Sequence, residues 1–251
     1  VSPQGNNLSL ITKYFQVFFA TLPVIRIMIS RKIKLVFATG GYISVPSIIA
    51  AKFLNIPIII HESNVVPGLA TKYFGRYCNF VLTGFKETAS YLKGCNIVFT
   101  GTPLRSQFYI DHDAPSWVPV GNQPLIIIMG GSQGAQVIND VIYNLLDFLN
   151  DNNFRIVHIL GDTLDPKFNN KKNTNYIPIG FTNEIAALMQ NCDLVISRAG
   201  SGAINEIIKT KSPSILIPYP NAKNNHQEKN ALILSSKGCS IMIQQNKNLE
   251  I

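Results

Sequence analysis

The chain has 251 residues, 46% of them hydrophobic and 14% charged, and a formal net charge of +8. That length accommodates two domains of ordinary size, and the apolar content supplies their cores, which excludes a disordered tail protein. The basic surplus suits anionic partners such as nucleotide diphosphates or an acidic membrane surface; without an arginine-rich tract or a basic–aromatic motif, nucleic acid is set aside.

Val1 leads directly into a strongly apolar segment, residues 8–29, which carries Lys13, Pro23 and Arg26. A membrane-spanning helix needs about 20 mostly apolar residues with few charges. Lys13 and Arg26 therefore oppose spanning, and Pro23 is expected to kink or break a helix. Further on, residues 35–39 predict a strand, followed by Gly40-Gly41-Tyr42 and a helix from about Pro46 to Leu54. The next strand is expected at 57–61 and a helix near 68–75. Shorter strands at 80–83 and 96–99 flank a helix expected at 86–93. Residues 111–124 hold Pro115, Pro119, Gly121 and Pro124 with little periodicity and read as a linker.

After that linker the alternation restarts. Strands are predicted near 125–129, 155–160, 176–179, 193–197, 214–218 and 240–243, with helices between them. Val137, Ile138, Val141, Ile142, Leu145, Leu146 and Leu149 follow helical spacing. The strands are continuously apolar rather than alternating, as parallel strands covered on both faces must be. Repeated βα units on either side of a linker imply two doubly wound α/β domains. The boundaries drawn are 1–105, a linker at 106–123, and 124–251. The four cysteines, Cys78, Cys95, Cys192 and Cys239, show no C-x-x-C spacing. Neither a zinc site nor a disulfide framework is indicated, and a reducing cytosol fits best.

In such folds ligands bind at the carboxyl ends of strands, and the polar and glycine-rich residues cluster there. Met129-Gly130-Gly131-Ser132-Gln133-Gly134-Ala135 is a strand, a glycine turn and a helix start, an arrangement that favours a phosphate; a tight turn without ligand is the plain alternative. Ser197-Arg198-Ala199-Gly200-Ser201-Gly202-Ala203-Ile204-Asn205-Glu206 is a second such junction. Glu206 could accept hydrogen bonds from the vicinal hydroxyls of a ribose, or simply complement the helix dipole. Gln227 and Asn230 lie three apart on one helix face and could address a sugar, or could be polar residues at a helix start. His61-Glu62-Ser63-Asn64 follows an apolar run. There Asn64 could bond a sugar, and His61 could move a proton or serve the structure. No nucleophilic triad, metal-ligand cluster or paired-carboxylate pattern is visible.

These segments together resemble the MurG family, the UDP-N-acetylglucosamine transferases that complete the lipid-linked peptidoglycan precursor. The matching stretches run in the family's order: Gly40-Gly41-Tyr42-x-x-x-Pro46, His61-Glu62-Ser63-Asn64 with Pro67-Gly68-Leu69-Ala70, Gly101-Thr102-Pro103-Leu104-Arg105, Gly130 to Ala135, Ser197 to Glu206, and Pro213-Ser214-Ile215-Leu216-Ile217-Pro218 with His226-Gln227-x-x-Asn230-Ala231. They cover nearly the whole chain from about residue 35. The resemblance implies a GT-B architecture, two Rossmann-like domains facing across a cleft, the amino-terminal one incomplete here. It implies that the second domain holds the UDP-GlcNAc donor and the first receives the lipid diphosphate acceptor, lipid I, with Gly40, Gly41 and Tyr42 on the acceptor side.

Carried over by position, Ser132 contacts the donor diphosphate, Glu206 the ribose, and Ser201, Gly202, Ala203, Ile204 and Asn205 line the uracil and sugar pocket. Thr182 matches a residue whose backbone meets uracil, Gln227 binds sugar hydroxyls, and Asn64 and Arg105 reach the donor. Departures are Ser63 for the family's Gln, Gly-Thr-Pro for Gly-Asn-Pro before Arg105, and the absence of the family's first loop, Gly-Gly-Thr-Gly-Gly-His. Its histidine is the usual proton-acceptor candidate, so the catalytic residue stays unassigned and the sequence is read as a partial one. The implied reaction is inverting transfer of GlcNAc to lipid I, with no metal or cofactor, at the cytoplasmic face of the bacterial inner membrane as a peripheral protein. Phe15, Phe18, Phe19, Val24, Ile25 and Ile27, flanked by Lys13, Arg26, Arg31 and Lys32, could lie in an anionic bilayer interface or form a core helix. The alternatives are a UDP-GlcNAc 2-epimerase and a chain that binds UDP-GlcNAc without turnover.

Overall fold

The computed structural model describes residues 7–131, 135–161 and 165–245, with the side chains of all but 7–16 and Phe18. The chain divides into two compact units, Val1–Thr102 and Pro103–Ile251.

The first unit contains α1 (Asn7–Ser30), β1 (Val36–Ala38), α2 (Ser44–Phe53), β2 (Ile58–Glu62), α3 (Leu69–Phe74), β3 (Phe80–Thr83) and β4 (Ile97–Phe99). The four strands are parallel and lie side by side in chain order. Their register aligns Ala38, Ile60, Val81 and Ile97 in one row. Ile48 and Ala51 of α2 and Met28 of α1 pack with that row into a single core, and Val24 and Ile25 lie against it. α2 tolerates Pro46 because the proline stands in its first turn, where a missing N–H costs little. Just past its end Asn55 has a left-handed backbone (φ 54°), and Ile56 donates back to the Ala51 carbonyl.

Two expectations change here. α1 runs unbroken through Pro23. A proline removes one ladder hydrogen bond, and the burial of Met28 with the partial burial of Val24 and Ile25 offsets that loss. The helix expected at 86–93 is a 3₁₀ turn, Lys86–Tyr91. Its buried Thr88 donates to the Asn64 carbonyl, which ties the segment to the loop after β2.

The second unit contains β5 (Leu125–Met129), α4 (Gln136–Asp151), β6 (Arg155–Ile159), α5 (Pro166–Asn170), β7 (Tyr176–Ile179), α6 (Ile185–Gln190), β8 (Leu194–Ser197), α7 (Ser201–Thr210), β9 (Ser214–Leu216), α8 (His226–Ser235) and β10 (Ser240–Met242). Its six strands are all parallel, in the order β10-β9-β8-β5-β6-β7. β5 is central, and all five of its residues are buried. α4 covers the sheet with Ile138, Ile142 and Leu146, spaced one turn apart. Residues 106–123 belong to this unit, held there by α6 and its flanks. Gln190 donates to the Ile110 carbonyl and accepts from His112 N, Asn191 donates to the His112 carbonyl, and Trp117 donates to Glu184 Oε2 at 2.7 Å.

A polar triad sits inside the second core. His158 on β6 is fully buried between Tyr176 Oη and Asn139 Oδ1, each 3.1 Å from a ring nitrogen. Asn139 spends its amide on the Leu160 carbonyl, so its oxygen must accept from Nε2–H. The Nδ1 lone pair then accepts from the tyrosine hydroxyl. Burial disfavours the imidazolium and pushes the His158 pKa from 6.5 down to about 3. The unfolded chain therefore binds more protons in that window, and stability is complete above it and falls as pH drops through it. Urea unfolding at pH 7 and pH 5 is expected to show a loss of about 2 kcal/mol that His158→Gln removes.

Candidate functional site

A doubly wound sheet opens a crevice where its strand order reverses. In the second unit that point lies between β5 and β8, whose last residues, Met129 and Ser197, are register partners. After β5 comes Gly131 with φ +90°, a left-handed backbone that a side chain would strain. After β8 comes α7, capped by Gly200 with no side-chain hydrogen bond to its first turn. A Cβ added at Gly131, Gly200 or Gly202 would meet nothing within 4 Å. The mouth thus presents backbone, open space and the positive end of a ten-residue helix, the set of features that attracts an anion. Ser132, the residue expected to meet the diphosphate, lies outside the described residues.

The α7 residues divide by face. Ile204 is fully buried in the core and offers a ligand only its backbone. Asn205 spends its amide nitrogen on the Ser201 carbonyl at 2.7 Å. Ser201, Gly202 and Ala203 remain at or near the surface. Glu206, in the second turn, is 16% exposed, and its Oε1 accepts from Arg105 Nη2 at 2.9 Å. Burial pushes the Glu206 carboxyl above the ordinary range, and the Arg105 guanidinium pulls it back. The Arg105 guanidinium carbon in turn lies 5.4 Å from the Phe108 ring centroid.

The strand ends next to this mouth hold further amides. Gln227 at the start of α8 accepts from Tyr219 N at 2.9 Å. Its amide nitrogen is the part that can meet a ligand. Asn230 faces the other way: it is fully buried and donates to the Ala199 carbonyl, so it ties α8 to the loop after β8 and is not available to a sugar. Arg198 is likewise buried and donates to the Ile217 and Pro218 carbonyls. Beside these loops is a pocket of about 140 Å³ that includes Tyr219, Glu228, Gln244 and Gln245. Thr182 opens α6 by accepting from Glu184 N. Among the described residues no cluster of three His, Cys, Asp or Glu side chains is arranged to hold a metal.

In the first unit the polar residues also stand after strand ends. Gly40 and Gly41 have φ of +80° and +76°, and Tyr42 beyond them is exposed. His61 is buried, with Nε2–H donating to the Gly101 carbonyl at 3.0 Å; its other nitrogen therefore accepts from the Ser63 hydroxyl at 3.2 Å. Both nitrogens are thus committed to the fold. Glu62 is the organiser that sequence reasoning missed. Its carboxylate is buried and accepts from Asn64 N, Asn64 Nδ2, Gly68 N and Thr71 Oγ1, at 2.8 to 3.4 Å. It shapes the loop that carries Asn64. The signal was present in the two-residue spacing of Glu62 and Asn64, but a carboxylate at a strand end also reads as a ligand-facing group.

Comparison with known proteins accords with this arrangement. The model of the glycosyltransferase family 28 C-terminal domain matches residues 125–250, and that of the N-terminal domain of the same family matches residues 3–83. The chain is 60% identical, over 241 residues, to the UDP-N-acetylglucosamine--N-acetylmuramyl-(pentapeptide) pyrophosphoryl-undecaprenol N-acetylglucosamine transferase of Prochlorococcus marinus strain MIT 9312, covering 96% of this chain. It spans 66% of that relative's length. A transferase of the same name from strain NATL2A is 42% identical, with 97% of this chain and 70% of the relative covered. Among solved structures, MurG of Acinetobacter baumannii superposes with a TM-score of 0.74 at 26% identity, over 93% of this chain and 67% of that one. A UDP-GlcNAc 2-epimerase from Methanocaldococcus jannaschii shares the fold alone, with a TM-score of 0.61 at 11% identity over 98% of this chain and 74% of that one. The chain belongs to glycosyltransferase family 28.

Proposed function

We propose that the protein transfers N-acetylglucosamine from UDP-GlcNAc to the 4-hydroxyl of the muramoyl sugar in undecaprenyl-diphospho-MurNAc-pentapeptide, lipid I, giving lipid II. The observation that carries this reading is the junction after β8: an open helix amino terminus with a largely buried carboxylate, Glu206, one turn in. The name and 60% identity of the Prochlorococcus relative supply the substrates. The acceptor hydroxyl attacks the anomeric carbon with inversion, the bond from that carbon to the diphosphate oxygen breaks, and UDP leaves. Negative charge develops on the leaving diphosphate. The amino termini of α4 and α7, together with Ser132, stabilise that charge by dipoles already in place.

The other roles are those the family resemblance carries to these positions, and the groups left open at Glu206 and Gln227 are compatible with them. Glu206 takes the ribose hydroxyls. Residues 201–205 line the uracil and sugar pocket, chiefly with backbone. Thr182, by its match to the family position, meets uracil with its backbone, while its hydroxyl accepts from Glu184 N. The Gln227 amide nitrogen donates to sugar hydroxyls. Asn64 and Arg105 address the donor, and Gly40, Gly41 and Tyr42 face the acceptor. The test is transfer of labelled GlcNAc to a lipid I analogue, with released UDP and the sugar product identified. Lipid II and UDP are expected in equal amounts; UDP-ManNAc instead would make the protein an epimerase, and UDP-GlcNAc binding without product would make it a binding protein. Glu206→Ala is expected to weaken UDP binding roughly ten- to a hundredfold, as loss of hydrogen bonds to a charged group implies.

The acceptor is a lipid, and α1 has a surface suited to its membrane. No helix among the described residues is long and apolar enough to cross a bilayer. Val24, Ile25 and Met28 face the core of the first unit, whereas Phe19, Leu22, Ile27 and Ile29 are exposed. Arg26, Arg31 and Lys32 stand among them, also exposed. Phe15 and Phe18 belong to the same helix, but their side chains lie outside the described residues. We infer that the exposed face rests in the interface of an anionic inner membrane, its cations on lipid phosphates. Flotation is expected with vesicles containing phosphatidylglycerol and not with phosphatidylcholine alone. Arg26→Glu with Arg31→Glu is expected to abolish it, and equal binding to both vesicles would rule the electrostatic part out.

A further inference from the structure

The donor reading gives Glu206 to a ribose but does not say what keeps a largely buried carboxylate charged and aimed. The elements packed on α7 are α6, α8 and the 3₁₀ turn Ser106–Tyr109. α6 carries no ionisable side chain. α8 brings His226, Glu228 and Lys229. His226 bonds the Lys223 carbonyl, Glu228 lines the pocket beside Tyr219, and none of the three makes a hydrogen bond or ion pair to Glu206. On α7 itself Lys209 lies 4.8 Å over the Tyr109 ring. Among the described residues Arg105 alone pairs with Glu206, Nη2 to Oε1 at 2.9 Å.

We propose that Arg105 is a positioning residue of the nucleotide site: it fixes the Glu206 carboxylate from the Oε1 side, so that the remaining lone pairs accept the 2′- and 3′-hydroxyls of a ribose, and it thereby sets the preference for ribonucleotides over 2′-deoxyribonucleotides. A carboxylate has about four acceptor positions, and Arg105 occupies one. Oε2 has no partner among the described residues, and Oε1 keeps its second lone pair. A vicinal diol presents two donors and so completes the group. Phe108 backs the guanidinium at 5.4 Å, which limits its rotation and leaves the fork pointed at α7. The ion pair has a second effect. Burial favours the protonated carboxyl, and a protonated carboxyl presents an O–H where the diol needs an acceptor. Arg105 opposes that protonation and so favours the acceptor form of the carboxyl.

This inference rests on the nucleotide reading above, and the experiment separates the two. Calorimetric titration with UDP and with 2′-deoxy-UDP, at pH 8 and pH 6, is run on the wild-type protein, Arg105→Lys, Arg105→Gln and Glu206→Gln. The wild type is expected to prefer UDP by about tenfold or more at both pH values, one hydrogen bond to a charged acceptor being at stake. Glu206→Gln loses that preference. Arg105→Gln loses part of it, and more at pH 6 than at pH 8, because the carboxyl now protonates more readily. Arg105→Lys, which restores the charge, retains it. If Arg105→Gln weakens both nucleotides by one factor and leaves the preference intact at both pH values, Arg105 acts only on the phosphates and the proposal is overturned. If the wild type binds UDP without preference, Glu206 does not read the ribose and the proposal also falls. If the wild type binds neither nucleotide, the donor reading itself fails and takes this one with it.

Discussion

β5 can be reached by a ligand only at its end. All five of its residues are buried, and both of its edges are taken, by β6 on one side and β8 on the other. Its backbone groups are spent on the ladders, and its side chains are spent on the core. The chain must then leave the strand sharply, and Gly131 provides the left-handed backbone for the exit. Because β8 lies alongside, its own exit into α7 opens at the same level. Two helix starts are thereby brought to one rim without any residue having been chosen to bring them there. Helix starts gathered at one rim offer unpaired N–H groups and positive dipole ends, which closing a parallel sheet supplies of itself.

The side chains around the strand ends show how little of the polar inventory is free to meet a ligand. Arg198, Asn230, His61 and Glu62 sit at strand ends, where functional residues collect, yet each is buried and committed to backbone or neighbouring groups. Burial without such partners would cost about 1–3 kcal/mol for each group. They act as braces that hold loops in shape. Glu206 and Gln227 differ in that each keeps a bonding position open: a carboxylate oxygen in one case, an amide nitrogen in the other. The difference between brace and contact lies in what remains unspent, which burial and hydrogen bonding reveal and residue type does not.

The sheets were legible from the sequence because short apolar runs such as Leu125–Met129, alternating with helical patterns, fit buried parallel strands, and the glycines after them mark the exits. Less legible were features that depend on distant partners. The sequence of residues 106–123, with its prolines, gives no hint that Gln190 and Asn191 tie it down, because those contacts span some eighty positions. The 3₁₀ turn at Lys86–Tyr91 replaces a helix because Thr88 is drawn to Asn64, again a tertiary demand. The pairing of Arg105 with Glu206 bridges 101 positions and left no local trace. Asn230 shares a helix face with Gln227 and looked like its equal; only depth separates them.

The inward polar group formed by His158, Tyr176 and Asn139 has a consequence for how the second sheet assembles. Apart from that group, Arg155 and Pro178, the rest of β6 and β7 is aliphatic, and those residues alone would tolerate sliding past one another. In the observed alignment His158 lies opposite Pro178, and its ring reaches the hydroxyl of Tyr176 at the start of β7 and the amide of Asn139 on α4. Shifting β7 by one position would turn Tyr176 to the opposite face and strand an imidazole in hydrocarbon. The triad works as a locating pin between two strands and a helix, making misaligned assemblies costly where the aliphatic surroundings alone would scarcely distinguish them.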